Sequence, residues 1–97
     1  MKQIRRKNQY YVYIVECTNG TYYTGYTNNL ENRIKEHNKG HGSKYLRGKG
    51  PIKLVWCKEY GYYKRAVSKE REIKKLTHKQ KQELVGIYER AACKKIS

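Results

Sequence analysis

Two tyrosine-rich segments on either side of an Asn-Gly turn constrain the fold of this chain more than any other feature. The first segment, Tyr10 to Cys17, is rich in β-branched and aromatic residues and is therefore predicted to be a strand. Asn19-Gly20 follows it, and this dipeptide is typical of a tight hairpin turn. Tyr22 to Tyr26 supplies the returning strand, in which Gly25 allows close approach of another backbone or a ligand. Cross-strand packing is the ordinary role of tyrosines in such a hairpin.

The rest of the chain predicts one more strand and three helices, each marked by local capping or turn residues. In chain order these are a helix capped by Asn28 or Asn29 that ends near Lys39, a strand from Ile52 to Glu59, a helix from about Lys64 to Leu76, and a helix capped by Thr77 that runs toward Ala92. The order β-β-α-β-α-α predicts an α/β (α+β) fold, in which a small, mostly antiparallel three-stranded sheet is flanked by helices. Residues 1–97 are interpreted as a single domain with a basic arm over residues 1–9 and a loose tail over residues 93–97.

The apolar stripes of these elements predict the core, because strand and helix spacing brings such residues to one face. The residues expected to be mostly buried are Tyr10, Val12, Ile14, Leu54, Trp56, Ile73, Leu76 and Leu84. On the third helix, Leu84, Ile87 and Tyr88 are predicted to share the apolar face.

The charge of the chain indicates a polyanionic partner. It has 23 Lys and Arg residues against 8 Asp and Glu residues, which gives a net charge of +15. Such a field attracts nucleic acid, and the alternatives are a basic solvated surface or an anionic membrane. The predicted phosphate contacts are Lys44, Arg47 and Lys49 in a glycine-rich loop, Lys53 and Lys74 beyond it, and Arg5, Arg6 and Lys7 in the basic arm.

The sequence lacks the usual features of secreted, membrane-spanning and zinc-binding proteins. Its first residues are polar and basic with no apolar run behind them, which argues against a secretory signal. No segment approaches the roughly 18 apolar residues of a membrane-spanning helix. Cys17, Cys57 and Cys93 have neither CxxC nor zinc-ligand spacing and are predicted to be reduced thiols. We therefore expect a cytoplasmic protein with no membrane partner and no small-molecule cofactor.

Arg33 and His37 on the first predicted helix have the chemistry of a phosphate site. Their i, i+4 spacing puts them on one helix face, with Cβ atoms roughly 5–6 Å apart. The planar arginine fork binds phosphate, and histidine donates to phosphate or transfers a proton. The alternative is an ordinary polar pair on the helix surface.

Glu70 and Glu72 are carboxylates within a strongly basic segment. A carboxylate there suits Mg²⁺, which typically takes one or two carboxylates together with the phosphate oxygens of a substrate. The alternative for Glu70 is an i, i+4 ion pair with Lys74. Helical periodicity does not choose between the two glutamates.

Taken together, these segments resemble the GIY-YIG nucleases. Tyr11-Val12-Tyr13 and Tyr23-Thr24-Gly25 are similar to the paired motifs that give the family its name. Arg33 and His37 stand in the first helix where the family has an arginine and its histidine or tyrosine partner. Glu70 stands where the family has its metal-binding glutamate.

The resemblance covers the chain from about Tyr10 to at least Ile87 and is greatest to small stand-alone bacterial members. It implies a compact α/β fold and a metal-dependent endonuclease that hydrolyses a phosphodiester bond in nucleic acid, with DNA favoured over RNA. The implied cofactor is one divalent ion, Mg²⁺ or Mn²⁺, bound by Glu70. The implied process is DNA repair or recombination.

The resemblance also implies a role for each remaining residue of the candidate site. Tyr13 helps to activate the attacking water, and Tyr23 bonds to water or phosphate. Arg33 stabilises the charge that develops around phosphorus, and His37 lies near the nucleophile and tunes Tyr13. Because a positive field, an arginine and a metal all stabilise an anion, we expect the phenolate form of Tyr13 to be favoured.

Three positions depart from the family pattern. Tyr11 replaces the glycine of the first motif and Thr24 the middle residue of the second, and neither position supplies a reacting group. Tyr26 stands where some family members carry a lysine. The alternative function is a non-catalytic nucleic-acid-binding module on the same fold, because a fold does not by itself fix a function.

Overall fold

A computed structural model describes residues 9–40 and 51–96, with side chains as far as Glu89. Its elements are β1 (Tyr10–Glu16), β2 (Tyr22–Thr27), α1 (Leu30–Asn38), β3 (Lys53–Tyr60), α2 (Tyr63–Lys74) and α3 (His78–Ile96). The predicted α+β architecture and element order are confirmed. The three strands form one sheet in the order β2-β1-β3, and both strand pairings are antiparallel.

The β1–β2 hairpin closes at the predicted Asn19-Gly20 turn. Gly20 has a φ of +86°, a left-handed conformation that glycine adopts without a Cβ clash. The Cys17 N–H donates to the Thr21 carbonyl at 2.9 Å and so closes the loop. The register that results places Tyr13 directly opposite Gly25.

The sheet is covered on both faces. The face against α2 and α3 has the buried residues Val12, Ile14, Val55, Trp56, Ala66, Ile73 and Val85. The face toward α1 has the buried residues Tyr13, Val15, Cys17 and Ile52, with Leu30 and Ile34 of α1 partly buried against them. The central strand β1 is therefore buried on both sides, which explains why its sequence is a nearly continuous apolar and aromatic run.

The predicted core is confirmed at four of its eight positions and is only partly buried at the others. The buried positions are Val12, Ile14, Trp56 and Ile73, and the partly buried ones are Tyr10, Leu54, Leu76 and Leu84. A bulge in the β1–β3 pairing, between Ile14 and Val15, makes Val55 an extra residue on β3. Val55 therefore fills the core position next to Trp56, while Leu54 stays partly exposed.

The apolar face predicted for α3 was wrong at Ile87, which is 59% exposed. Val85 is buried instead, and Leu84 and Tyr88 pack against the core beside it. Ile87 is two residues beyond Val85, which is about 200° around a helix, so the two cannot face the sheet together.

α3 begins with a reciprocal cap and extends beyond its predicted end. The Gln80 N–H donates to Thr77 Oγ1 at 3.1 Å, and the Thr77 N–H donates to Gln80 Oε1 at 2.9 Å, which is a capping box. The predicted Thr77 cap is therefore confirmed. α3 continues to Ile96 and so includes most of residues 93–97, the segment predicted to be a loose tail. Residues 91–96 contain no glycine or proline to end the helix.

Two further sequence predictions concern thiols and membranes. Cys17 and Cys57 are free thiols, as predicted, and Cys93 lies outside the described side chains. Within the described part of the chain, no helix has the length and apolar character needed to cross a membrane.

Candidate active site

The five candidate catalytic residues lie at one pocket of about 490 Å³. The pocket is lined by residues of β2, an outer strand of the sheet, and by residues of both α1 and α2. Its wall includes Tyr13, Tyr23, Arg33, His37 and Glu70. The remaining lining residues are Tyr10, Gly25, Tyr26, Thr27, Asn28 and Tyr63.

The short connection from β2 to α1 directs the arginine–histidine face of α1 toward this pocket. Asn29 is the N-cap of α1, and its Oδ1 accepts the Asn32 N–H at 3.1 Å. The Asn29 N–H in turn donates to Thr27 Oγ1 at 3.1 Å, so the helix starts immediately after the strand. At the other end of α1, Asn38 Oδ1 accepts the Ile52 N–H at 2.8 Å and ties the helix to the segment before β3.

Gly25 makes room for the phenol of Tyr13. A Cβ at position 25 would lie 2.6 Å from the Tyr13 hydroxyl oxygen and 2.8 Å from its Cζ, closer than real Cβ contacts occur. Close approach at Gly25 was predicted, with a backbone or a ligand as the expected partner, and among the described residues the partner is a side chain. The approaching group is a side chain from the neighbouring strand, where Tyr13 is 2% exposed.

Tyr13 and His37 form a buried hydrogen-bonded pair. The Tyr13 hydroxyl lies 2.9 Å from His37 Nε2, although the two residues are 24 positions apart in the chain. The His37 ring also contacts Tyr23 edge-on, with ring centroids 5.6 Å apart and planes at 73°. His37 is 3% exposed, and its Nδ1 has no hydrogen-bond partner among the described residues.

Burial determines the charge state of this pair. It raises the pKa of the Tyr13 phenol well above its usual value, Tyr23 and Glu70 raise it further, and only Arg33 lowers it. Among the described residues, loss of hydration therefore outweighs the attraction of Arg33 and favours the neutral phenol of Tyr13, whereas the expected phenolate also depended on a bound metal ion.

Burial and the neighbouring Arg33 lower the pKa of His37. Protonation at Nε2 would also remove the lone pair that accepts the Tyr13 hydroxyl in the neutral pair. At neutral pH the pair is therefore a neutral phenol and a neutral imidazole. When Nε2 carries no proton, the Tyr13 hydroxyl donates to it.

The environments of Glu70 and Glu72 differ, which sequence periodicity did not reveal. The Glu70 side chain lines the pocket and is 13% exposed, with Oε2 3.2 Å from Lys74 Nζ. The Glu72 side chain is 65% exposed and pairs with Lys69 at 2.8 Å on another part of α2. Of the two carboxylates, Glu70 alone lines the pocket.

The chemistry of the pocket fits a hard divalent ion better than zinc. In the described ranges, 9–40 and 51–96, no three His, Cys, Asp or Glu side chains are grouped so as to hold a metal. Zinc would need such a set of nitrogen and sulfur ligands. Mg²⁺ or Mn²⁺ binds through one or two carboxylates, waters and substrate phosphate oxygens, and Glu70 is a carboxylate that lines this pocket.

Two of the predicted nucleic-acid-binding residues lie in the described part of the chain. Lys74 follows Glu70 by one helical turn, and its side chain is 53% exposed. Lys53 is exposed at the start of β3, paired across the sheet with Glu16, and does not line the pocket. The other predicted contacts lie outside the described residues: Lys44, Arg47, Lys49, Arg5, Arg6 and Lys7.

Sequence reasoning missed three tyrosines at the pocket as members of the site. They are Tyr10, Tyr26 and Tyr63, and the hydroxyls of the last two are 3.1 Å apart. Tyr26 and Tyr63 are 37 positions apart, and no local spacing rule pairs them. Only the packing of α2 against β2 brings them together.

Comparison with known proteins assigns the chain to a family. Residues 9–83 match the GIY-YIG catalytic domain, so the chain belongs to the GIY-YIG family. This is a nuclease family whose members act on nucleic acid, generally DNA, and generally use a divalent metal ion.

Within that family the chain is similar to the small single-domain UPF0213 proteins. It is 53% identical over 76 residues to the UPF0213 protein CPE1444 of Clostridium perfringens, which covers 78% of this chain and 82% of that relative. The solution NMR structure of the UPF0213 protein BH0048 from Bacillus halodurans has a TM-score of 0.55 and 43% identity, covering 81% of this chain and 84% of that one. The solution NMR structure of EF2693 from E. faecalis has a TM-score of 0.59 and 33% identity. The match covers 89% of this chain and 92% of that one.

Proposed function

We propose that this protein is a metal-dependent endonuclease that hydrolyses a phosphodiester bond in nucleic acid, with DNA as the favoured substrate. The observation that carries the proposal is a single pocket lined by Tyr13, Tyr23, Arg33, His37 and Glu70. A net charge of +15 supports a polyanionic substrate.

Arg33 and Tyr23 act on the scissile phosphate. The arginine fork binds two phosphate oxygens and stabilises the negative charge that grows on them as the water adds. Arg33 is partly buried, so this charge is less screened than on an exposed helix face. The Tyr23 hydroxyl bonds to the phosphate or to the attacking water.

The Tyr13–His37 hydrogen bond provides a route for the proton of the attacking water. As the water oxygen bonds to phosphorus and the bond to the leaving oxygen breaks, the water proton passes to the Tyr13 oxygen. The Tyr13 proton moves at the same time to His37 Nε2, 2.9 Å away. The route begins from a neutral imidazole, the form that the lowered pKa of His37 favours. Tyr13 need not exist as a free phenolate, so its raised pKa is compatible with this role.

Glu70 would hold the divalent ion, which when bound stabilises the charge of the leaving oxygen as a Lewis acid. The ion pair with Lys74, at 3.2 Å, holds the carboxylate in place at the pocket wall. Because the Glu70 side chain is 13% exposed, few waters compete with a ligand there.

Comparison of Glu70→Gln with Glu72→Gln tests the proposal. Labelled DNA and RNA, as duplexes, single strands and branched forms, are incubated with Mg²⁺, Mn²⁺ or a chelator. Wild type should cleave at least one substrate only with metal, and Glu70→Gln should lose about 100-fold or more of that rate, a typical loss for a group that stabilises transition-state charge. It should still bind the substrate, and Glu72→Gln should retain both properties. Tight binding by a wild type that cuts nothing with any metal would instead support the non-catalytic binding module. Cleavage that persists in chelator would overturn the metal requirement.

A further inference from the structure

Tyr63 is held in one orientation by two other tyrosines and is still open to the pocket. Its ring meets Tyr10 edge-on at a centroid distance of 5.6 Å and 65°, and Tyr26 at 5.7 Å and 69°. Its hydroxyl lies 3.1 Å from that of Tyr26. Tyr63 is nevertheless 51% exposed and lines the pocket that contains Glu70.

A fixed, exposed aromatic ring is a good stacking surface. Since Tyr10 and Tyr26 already restrict the ring, little side-chain freedom is lost when a flat ligand stacks on Tyr63. The neighbouring Tyr62 differs: it is 69% exposed, does not line the pocket, and has Arg65 over its ring at 5.9 Å. The two adjacent tyrosines therefore provide a test residue and a matched control.

The position of Tyr63 relative to Glu70 defines what such a ligand would be. The two residues are seven positions apart on α2, which is two turns and about 10 Å along one helix face. One nucleotide, from its phosphate to the far edge of its base, bridges a gap of this size. Arg33 and Glu70 line the same pocket and suit the phosphate end, which leaves Tyr63 for the base.

We propose that Tyr63 forms a nucleobase subsite, on which a base next to the scissile phosphate stacks, with Tyr10 and Tyr26 as positioning residues behind it. The proposal rests on the nuclease function proposed above and adds a substrate-binding contact to it. In this interpretation Tyr26 does not replace the lysine of other family members as a charge; it orients Tyr63. The subsite selects a base with a free face and is tolerant of base identity, since every base has a π-face.

A double-mutant cycle tests this inference: the Tyr63 ring and one substrate base are removed separately and together, and the losses of cleavage rate are compared. Tyr63→Ala, Tyr63→Phe and Tyr62→Ala are compared with wild type on a cleaved oligonucleotide and on copies with one abasic site moved stepwise past the cleavage position. Tyr63→Ala should lower kcat/KM about 5- to 100-fold on the intact strand, the range expected for one stacked base. At one abasic position, kcat/KM of wild type should fall by a similar factor. On that same abasic strand, Tyr63→Ala should cut as fast as wild type. Tyr62→Ala should behave like wild type. Tyr63→Phe keeps the ring but loses the hydroxyl contact with Tyr26, and it should still lose rate at the same abasic position as wild type.

The subsite and the nuclease function fail in different ways. Suppose that wild type cuts, and that kcat/KM of Tyr63→Ala is lower than that of wild type by the same factor on the intact strand and on every abasic strand. The subsite proposal is then wrong, and the proposed nuclease function is unaffected. If wild type cuts nothing, affinity for an intact strand and for a fully abasic strand is measured instead. A Tyr63→Ala loss confined to the intact strand then supports the subsite, and equal losses on both strands overturn it.

Discussion

Tyr13 lies across the backbone of Gly25, and its hydroxyl bonds to His37 in the first helix. The sequence identifies the residue types of this site through its motifs. It does not predict their charge states, because these depend on burial that only the packing of α1 on the sheet creates. The choice of Glu70 over Glu72 has the same origin. Both are helical carboxylates, and the direction in which α2 faces the sheet decides which of them reaches the pocket.

Gly25→Ala should disable the site at its most crowded point. The added methyl would lie 2.6 Å from the Tyr13 hydroxyl and force the phenol away from His37. We expect a loss of about 1–3 kcal/mol in the free energy of unfolding, as for other overpacked cores. Cleavage should fall by about 100-fold, as for an ångström-scale misplacement. Gly61→Ala is the control, because a Cβ there meets nothing within 4 Å. Equal activity of the two variants would contradict the close contact.

His37 should make both stability and cleavage sensitive to acid. Its folded pKa is lowered from 6.5, so the unfolded chain binds the proton more readily than the folded one. The stability from the neutral ring is fully present above about pH 6.5 and is lost as pH falls through the folded pKa. Cleavage should decline over the same range, because a protonated Nε2 cannot accept from Tyr13.

Urea unfolding of wild type and His37→Gln between about pH 8 and pH 5 measures this dependence. The variant should lack the part of the decline that His37 causes, and its curve should therefore be flatter than that of wild type. Parallel curves for the two proteins would show that His37 is not held neutral by the fold.

At the scale of elements, local signals predicted which segments form strands and helices but not which faces they bury. The Asn19-Gly20 turn and the Thr77 cap act within a few residues, so the sequence alone reveals them. The exposure of Ile87 and the partial exposure of Leu54 depend on how a helix is rotated and where β3 bulges. Both are set by contacts between distant elements, which periodicity does not encode.

Ile73 and Leu54 should therefore differ in their importance for stability. Ile73 on α2 is 1% exposed in the core between helix and sheet, so Ile73→Ala should cost about 2–5 kcal/mol. Leu54 is only partly buried beside the bulge, and Leu54→Ala should cost clearly less, because a side chain at the edge leaves no enclosed cavity. Chemical denaturation of both variants measures the difference. Equal losses would mean that Leu54 is as deeply packed as Ile73.

At the scale of the whole molecule, the charge is far from balanced. A net charge of +15 on 97 residues repels itself in the folded state and attracts polyanions over the whole surface. Lys74 pairs at 3.2 Å with Glu70, which lines the pocket, whereas Lys35 on α1 pairs at 3.8 Å with Glu31, which does not. The two lysines carry the same charge and are both well exposed, so they separate local phosphate contact from overall attraction.

Binding to nucleic acid should weaken steeply with salt, because each phosphate contact releases a condensed counterion. Between roughly 50 and 200 mM salt, the logarithm of the binding constant should fall linearly with the logarithm of salt concentration. Lys74→Ala should reduce the magnitude of that slope by about 0.9, the value for one lost phosphate contact. Lys35→Ala removes the same charge away from the pocket and should leave the slope unchanged.

Fluorescence anisotropy with a labelled oligonucleotide measures all three slopes in chelator, where cleavage cannot interfere. A flat wild-type affinity across this range would overturn the electrostatic interpretation of the +15 charge, and identical slopes for the two variants would remove Lys74 from the contact surface.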